Sequence, residues 1–138
     1  MKAIKLDGDE SEILSIKLND ILSLLDLKSN VKWGLLWIEA VGTFSLDESM
    51  LDFEDRINNS DKVFCFELDY LFELSDNLDQ IINIIIVGDE DMSNMKRYKS
   101  SEGMYANCEY VLELIDSSYW IIHSKDEIFL RKIKNEYS

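Results

Sequence analysis

The sequence predicts an α+β fold: a mixed, largely antiparallel sheet of about four or five strands with helices packed on it. Three observations carry this. Apolar residues recur at helical spacing in several separate segments. Two other segments, Lys32 to Phe44 and Ile81 to Val87, read as buried strands. Near the end, two alternating runs flank Asp116-Ser117-Ser118 and a helical pattern follows, giving a C-terminal hairpin plus helix. With 138 residues, one domain spanning 1–138 is expected. A chain of this size buries roughly 68–70% of its unfolded surface and needs no disulfide or metal staple.

The elements follow in order. Met1 to Leu6 fits a short edge strand. Asp9 and Glu12 have capping-box spacing, and Leu14, Leu18, Ile21, Leu22 and Leu25 then make one helical face. EILSIKL also alternates, so a strand followed by a shorter helix is the fallback. KWGLLWIEAVGTF, from Lys32 to Phe44, is apolar on both parities, with Trp33 and Trp37 expected on one face. Ser45 and Glu48 suggest a second capping box before Leu46, Met50, Phe53 and Ile57, and Asn58-Asn59-Ser60 stops that helix. After a short apolar stretch, Lys62 to Phe66, a third helix places Leu68, Leu71, Phe72, Ser75 and Leu78 on one side. Asp69, Glu73, Asp76 and Gln80 lie on its other side. GDEDMSNMKRYKSSEGMYA reads as a long polar loop. In the hairpin, Tyr110, Leu112 and Leu114 face inward. Ser124 and Glu127 form a third capping box, opening a helix with Phe129, Ile133 and Tyr137 on one face.

Charge narrows the function classes. The net charge is −14, from 28 acidic and 14 basic residues. Such a field repels nucleic acid and anionic membranes and attracts basic partners. Residues 1–92 hold 21 acidic and seven basic side chains; residues 93–138 hold seven of each. The longest apolar run, IINIIIVG, is far short of a membrane span, and MKAIKLDGDE lacks a signal-peptide core. A cytoplasmic location is therefore expected. Cys65 and Cys108 sit in apolar stretches, as core cysteines do, without metal-site spacing.

Catalytic constellations are missing from the pattern. His123 is the one histidine and is expected at a solvent edge, without the positioned partner a general base needs. There is no nucleophile elbow, no GxGxxG and no P-loop. No cofactor is expected. The best metal candidate is Asp89, Glu90 and Asp91 after a strand, although an acidic solvated loop has the same composition. Expected partner-binding residues come from the acidic segments. They are Asp47, Glu48, Asp52 and Asp55 on the second helix, Asp69, Glu73 and Asp76 on the third, and Asp89, Glu90 and Asp91 beyond the strand. Apart from Asp52, with Arg56 four residues on, these acids lack i,i+4 basic partners, so the face either is simply solvated or serves a basic partner.

The stretch SYWIIHSKDE at 118–127 with the helix after it, LDFEDRINNS at 51–60 and WGLLWIEAVG at 33–42 carry a resemblance. Together they resemble immunity proteins of bacterial polymorphic-toxin and contact-dependent growth-inhibition systems. The resemblance implies a protein without enzymatic activity that binds a cognate toxin, often a nuclease domain with a basic groove. It transfers no binding residues, because each pair is cognate. Two other readings stay open: a small metal-binding enzyme or regulator using Asp89-Glu90-Asp91, and an acidic nucleic-acid mimic or adaptor that occupies a basic host protein.

Overall fold

The computed structural model describes residues 2–7, 16–26, 30–43 and 48–137. Two long strands, β2 (Lys32–Gly42) and β4 (Leu78–Asp89), lie antiparallel at the centre of the sheet. β5 (Tyr110–Ile115) and β6 (Tyr119–Ser124) continue from β4 as a hairpin, and β1 (Lys2–Asp7) closes that side along β6. The short β3 (Phe64–Phe66) lies outside β2. The six strands run in the order β1-β6-β5-β4-β2-β3, and every pairing is antiparallel. The expected α+β class with a largely antiparallel sheet is found, with six strands rather than four or five.

The helices are α1 (Leu18–Leu22), α2 (Met50–Asn58), α3 (Leu68–Asn77), α4 (Ser101–Asn107) and α5 (Glu127–Tyr137). Four of them cover one sheet face. Ile21 and Leu22 of α1, Phe53 and Ile57 of α2, Leu71 and Leu74 of α3, and Phe129 and Ile133 of α5 pack there. They meet Trp33, Leu35, Ile38, Ile84, Ile86, Leu112, Trp120 and Ile122 from the strands. Burying each such side chain is worth about 1.5–3 kcal/mol, and helices this short are marginal alone. Tertiary packing therefore holds them.

Several local expectations change. Asp9, Glu12, Leu14, Ser45, Leu46 and Asp47 lie outside the described residues. α1 is the shorter helix of the fallback. Ser49 caps α2, its Oγ accepting from the Asp52 N–H at 3.1 Å. Asp126 caps α5, accepting from the Phe129 N–H at 3.1 Å, while Ser124 accepts from Asp126 at 2.9 Å. α3 ends at Asn77, whose side chain donates to Glu73 O at 2.7 Å. Leu78 is already extended, so Leu78 and Gln80 belong to β4. The polar stretch expected to be a loop contains a 3-10 turn over Met92–Asn94 and α4, capped by Ser100. Met104 and Cys108, with the half-buried Tyr105, supply the apolar face that settles α4 on the sheet.

The two tryptophans of β2 fall on opposite faces. Leu35 pairs with Ile86 and Trp37 with Ile85, so Leu36 is the extra residue of a β-bulge. Side-chain parity shifts by one there. Trp33, Leu35, Ile38 and Ala40 join the helix-covered core, while Leu36 packs on the other side. Trp33 lies against Gly88, where a Cβ would come within 2.7 Å of the indole. Trp37 remains 38% exposed.

β2 is longer than its outer neighbour, and side chains serve the part of its edge that β3 leaves bare. The Asn58 amide accepts from the Ile38 N–H at 2.8 Å and donates to Ile38 O at 2.9 Å. Glu54 accepts from the Ala40 N–H at 2.8 Å. Arg97 donates to Leu36 O at 2.7 Å and also to Ile57 O. α2 thus stands in for a neighbouring strand along an edge that would otherwise template another chain.

Candidate partner-binding surface

The acidic residues fall into three groups. On α2 and α3, Asp52, Asp55, Asp69 and Glu73 are exposed. Both helices put their apolar stripe into the core, which turns these carboxylates outward. Within α2 and α3 the one basic residue is Arg56, and Glu48 grips it through bonds of 3.0 and 2.9 Å. That bond holds the Glu48 carboxyl below its ordinary range. Arg56 also lies over the rings of Phe53 and Phe64, at 5.3 and 4.9 Å. Asp76 accepts from the Asn19 side chain, tying α3 to α1.

The third group behaves differently from the expectation. Asp89 is buried, and its carboxylate accepts from the N–H groups of Asp91 at 2.8 Å and Glu109 at 2.9 Å and from the Asn94 amide at 3.2 Å. It anchors the turn after β4 and is removed from any partner surface. Three N–H donors converge on it, the opposite of what a cation would need. Asp91 accepts from the Ser93 N–H and hydroxyl, at 2.9 and 2.7 Å, which lowers its carboxyl below the usual value. Glu90 is exposed. Among the described residues no group of three His, Cys, Asp or Glu gathers as metal ligands.

Among the described residues, one helix, α4, packs on the sheet's other face. Leu36, Val87, Met95, Met104, Cys108 and Val111 form a small second core under α4. Beyond it, one row crosses five strands: Trp37, Ile85, Glu113, Ile121 and Lys5 are successive cross-strand partners. Trp37, Ile85, Glu113 and Ile115 line a shallow depression of about 240 Å³. The Trp37 Nε1–H donates to Glu39 Oε1 at 2.8 Å. Glu113 accepts from the Tyr105 hydroxyl at 2.6 Å; burial raises its carboxyl and that bond partly offsets the rise.

His123 sits at the border of this face. Its ring stacks on Tyr105 with centroids 3.6 Å apart and planes within 8°. Its Nδ1 is buried without a hydrogen-bond partner, and burial lowers its pKa. It is packed rather than solvent-edge. Of the cysteines, Cys108 is buried as expected, whereas Cys65 is exposed on β3; burial raises both thiols.

The sequence pattern pointed to the α2 and α3 acids but missed the Trp37–Glu39 pair, because uninterrupted alternation sends Trp37 into the core. A tryptophan two residues before a glutamate on one strand was the available signal. No family model, curated protein or solved structure matches the chain.

Proposed function

We propose that this chain is an immunity protein that binds and neutralises a basic toxin domain, of the nuclease class, with its acidic surface drawing that partner in. It acts in the cytoplasm. One observation carries the reading. Asp52, Asp55, Asp69 and Glu73 stand exposed on neighbouring elements of one layer, and the one basic residue of those helices is already engaged. Like charges gathered without counter-charges destabilise a fold slightly and accelerate encounter with a basic partner. The resemblance noted above points the same way.

The test is protection. Cells expressing the basic toxin-like domain encoded beside this chain should survive when the chain is co-expressed, and the two should co-elute. Reversing Asp52, Asp55, Asp69 and Glu73 to lysine should slow association about tenfold at low salt. Failure of the intact chain to protect or to bind would overturn the reading. Capture of an unrelated basic host protein in its place would favour the mimic instead.

A further inference from the structure

We propose that the uncovered half of the second sheet face is the contact centre for that basic partner, and that it receives an arginine side chain laid over the Trp37 indole beside Glu39. The inference rests on the reading of the chain as an inhibitor of a basic protein. It adds where, and by what chemistry, the partner is held.

Trp37 is 38% exposed, although it stands in the middle of β2. Its position is fixed: Nε1–H donates to Glu39 Oε1 at 2.8 Å, and the Asn83 amide donates to the same oxygen at 3.4 Å. An aromatic plane with a carboxylate at its edge suits a guanidinium, which stacks on the ring and pairs with the carboxylate at once. Among the described residues no lysine or arginine lies over this ring; the cation–aromatic contacts are to Tyr119, Phe53, Phe64 and Tyr98. Arg97, which reaches the backbone of Leu36 next to Trp37, has its terminal nitrogens committed to Leu36 O and Ile57 O.

Charge complementarity selects the occupant. Glu39 stands beside the open row as its accessible carboxylate; Glu113 within the row is buried and bonded to Tyr105, and Lys5 is drawn aside over Tyr119 at 4.4 Å and to Asp7 at 3.6 Å. A purely apolar segment would desolvate Glu39 without compensation. A second copy would set −14 against −14. An arginine neutralises Glu39, while its aliphatic stem covers Ile85. Interface centres are typically an aromatic anchor within an apolar patch, depleted of charge and rimmed by polar groups. The sheet face has that composition; the α2–α3 surface, where exposed Asp52, Asp55, Asp69, Glu73 and Asp76 predominate, does not.

The experiment is an NMR titration of the whole ¹⁵N-labelled chain with a short acetylated arginine peptide and its citrulline counterpart. The Trp37 indole N–H signal, assigned with Trp37→Phe, should shift saturably with the arginine peptide. Citrulline in its place should weaken the effect about threefold or more. Glu39→Gln, which retains an acceptor for the indole, should weaken arginine binding similarly, and Glu136→Gln, exposed on α5, should leave the Trp37 shift in place. Shifts confined to α2 and α3, equal response to citrulline, or a Trp37 signal that moves with protein concentration alone would overturn the proposal. The last would identify a second copy as the occupant. Protection by the intact chain is a separate readout, so loss of this site and loss of the inhibitor reading are distinguishable.

Discussion

Replacing Asn58 with alanine should cost far more than an asparagine at the end of a nine-residue helix would ordinarily suggest. The amide closes both backbone groups of Ile38, at 2.8 and 2.9 Å. Alanine leaves an N–H and a C=O without partners on a half-buried edge. Each unsatisfied buried group costs about 1–3 kcal/mol, and water entering the edge recovers part of that. A net loss of about 2 kcal/mol follows, or a Tm lower by roughly 6–10 °C for a chain of this size. Asn58→Asp keeps the acceptor but loses the donor to Ile38 O, so it should also destabilise. The control is Asn59→Ala. That side chain is exposed and donates only to Asp55 O at 3.1 Å, so its loss should stay within about 0.5 kcal/mol. Thermal and urea unfolding followed by circular dichroism would measure all three. Sizing chromatography would show whether Asn58→Ala, with its edge bared, associates. Equal losses for Asn58→Ala and Asn59→Ala would refute the idea that α2 substitutes for a strand.

Other outcomes follow from the same geometry. Gly88→Ala sets a methyl group within 2.7 Å of the Trp33 indole, so unfolding by denaturant should show a loss of about 1–3 kcal/mol. Glu113 binds its proton more tightly when folded, because it is buried. Its contribution is therefore most favourable below the unfolded carboxyl pKa and declines as pH rises. Glu113→Gln, which still accepts from Tyr105, should gain stability relative to the parent between pH 4 and 7, and parallel melting curves across that range would contradict this. His123 has the reverse sign: burial lowers its pKa. The stability it allows is present above the unfolded value of about 6.5 and is lost as pH falls below it. His123→Phe, which preserves a ring for Tyr105, should flatten that decline; an unchanged pH profile would count against it.

The parts of the fold written in local pattern were legible. The hairpin was readable because Tyr110, Leu112 and Leu114 alternate up to a polar turn, and Asp116 and Ser117 do adopt left-handed φ of 53° and 56° there. The last helix was readable from Phe129 and Ile133, both buried. What escaped depends on distant partners. The bulge at Leu36 has no local signature, since WGLLWIEA is apolar on both parities and fits either register. Only packing of Trp33 on Gly88 and of Ile38 under α2 decides it. Asn58 looked like a helix stop, and nothing nearby in sequence says that its amide faces Ile38, twenty residues back. Asp89 looked like an acidic loop because the donors that bury it come from Asn94 and Glu109. The α4 signal was present in Met104, Tyr105 and Cys108, but it was masked by the polar residues around it.

The two surfaces implicated in binding lie on opposite sides of the sheet, and salt separates their contributions. A helix is about 10–12 Å across and packs about 10 Å from the sheet. The outward carboxylates of α3 therefore stand roughly 15–20 Å from a partner seated on Trp37, whereas α2 borders Glu39 through Met50, Leu51 and Glu54. The α3 separation is about two Debye lengths at physiological ionic strength, but less than one at 0.01 M. Reversing Asp69 and Glu73 on α3 should therefore slow association strongly at low salt and weakly at physiological salt, with little change in dissociation. Trp37→Ala and Glu39→Gln should do the opposite: they speed dissociation at both salt concentrations, because contacts made after docking set the off-rate. Stopped-flow association and surface-bound dissociation, run at both ionic strengths, resolve the two. If reversal on α3 speeds dissociation at physiological salt as much as Trp37→Ala does, that helix itself is in contact with the partner, and the division between a steering surface and a docking surface fails.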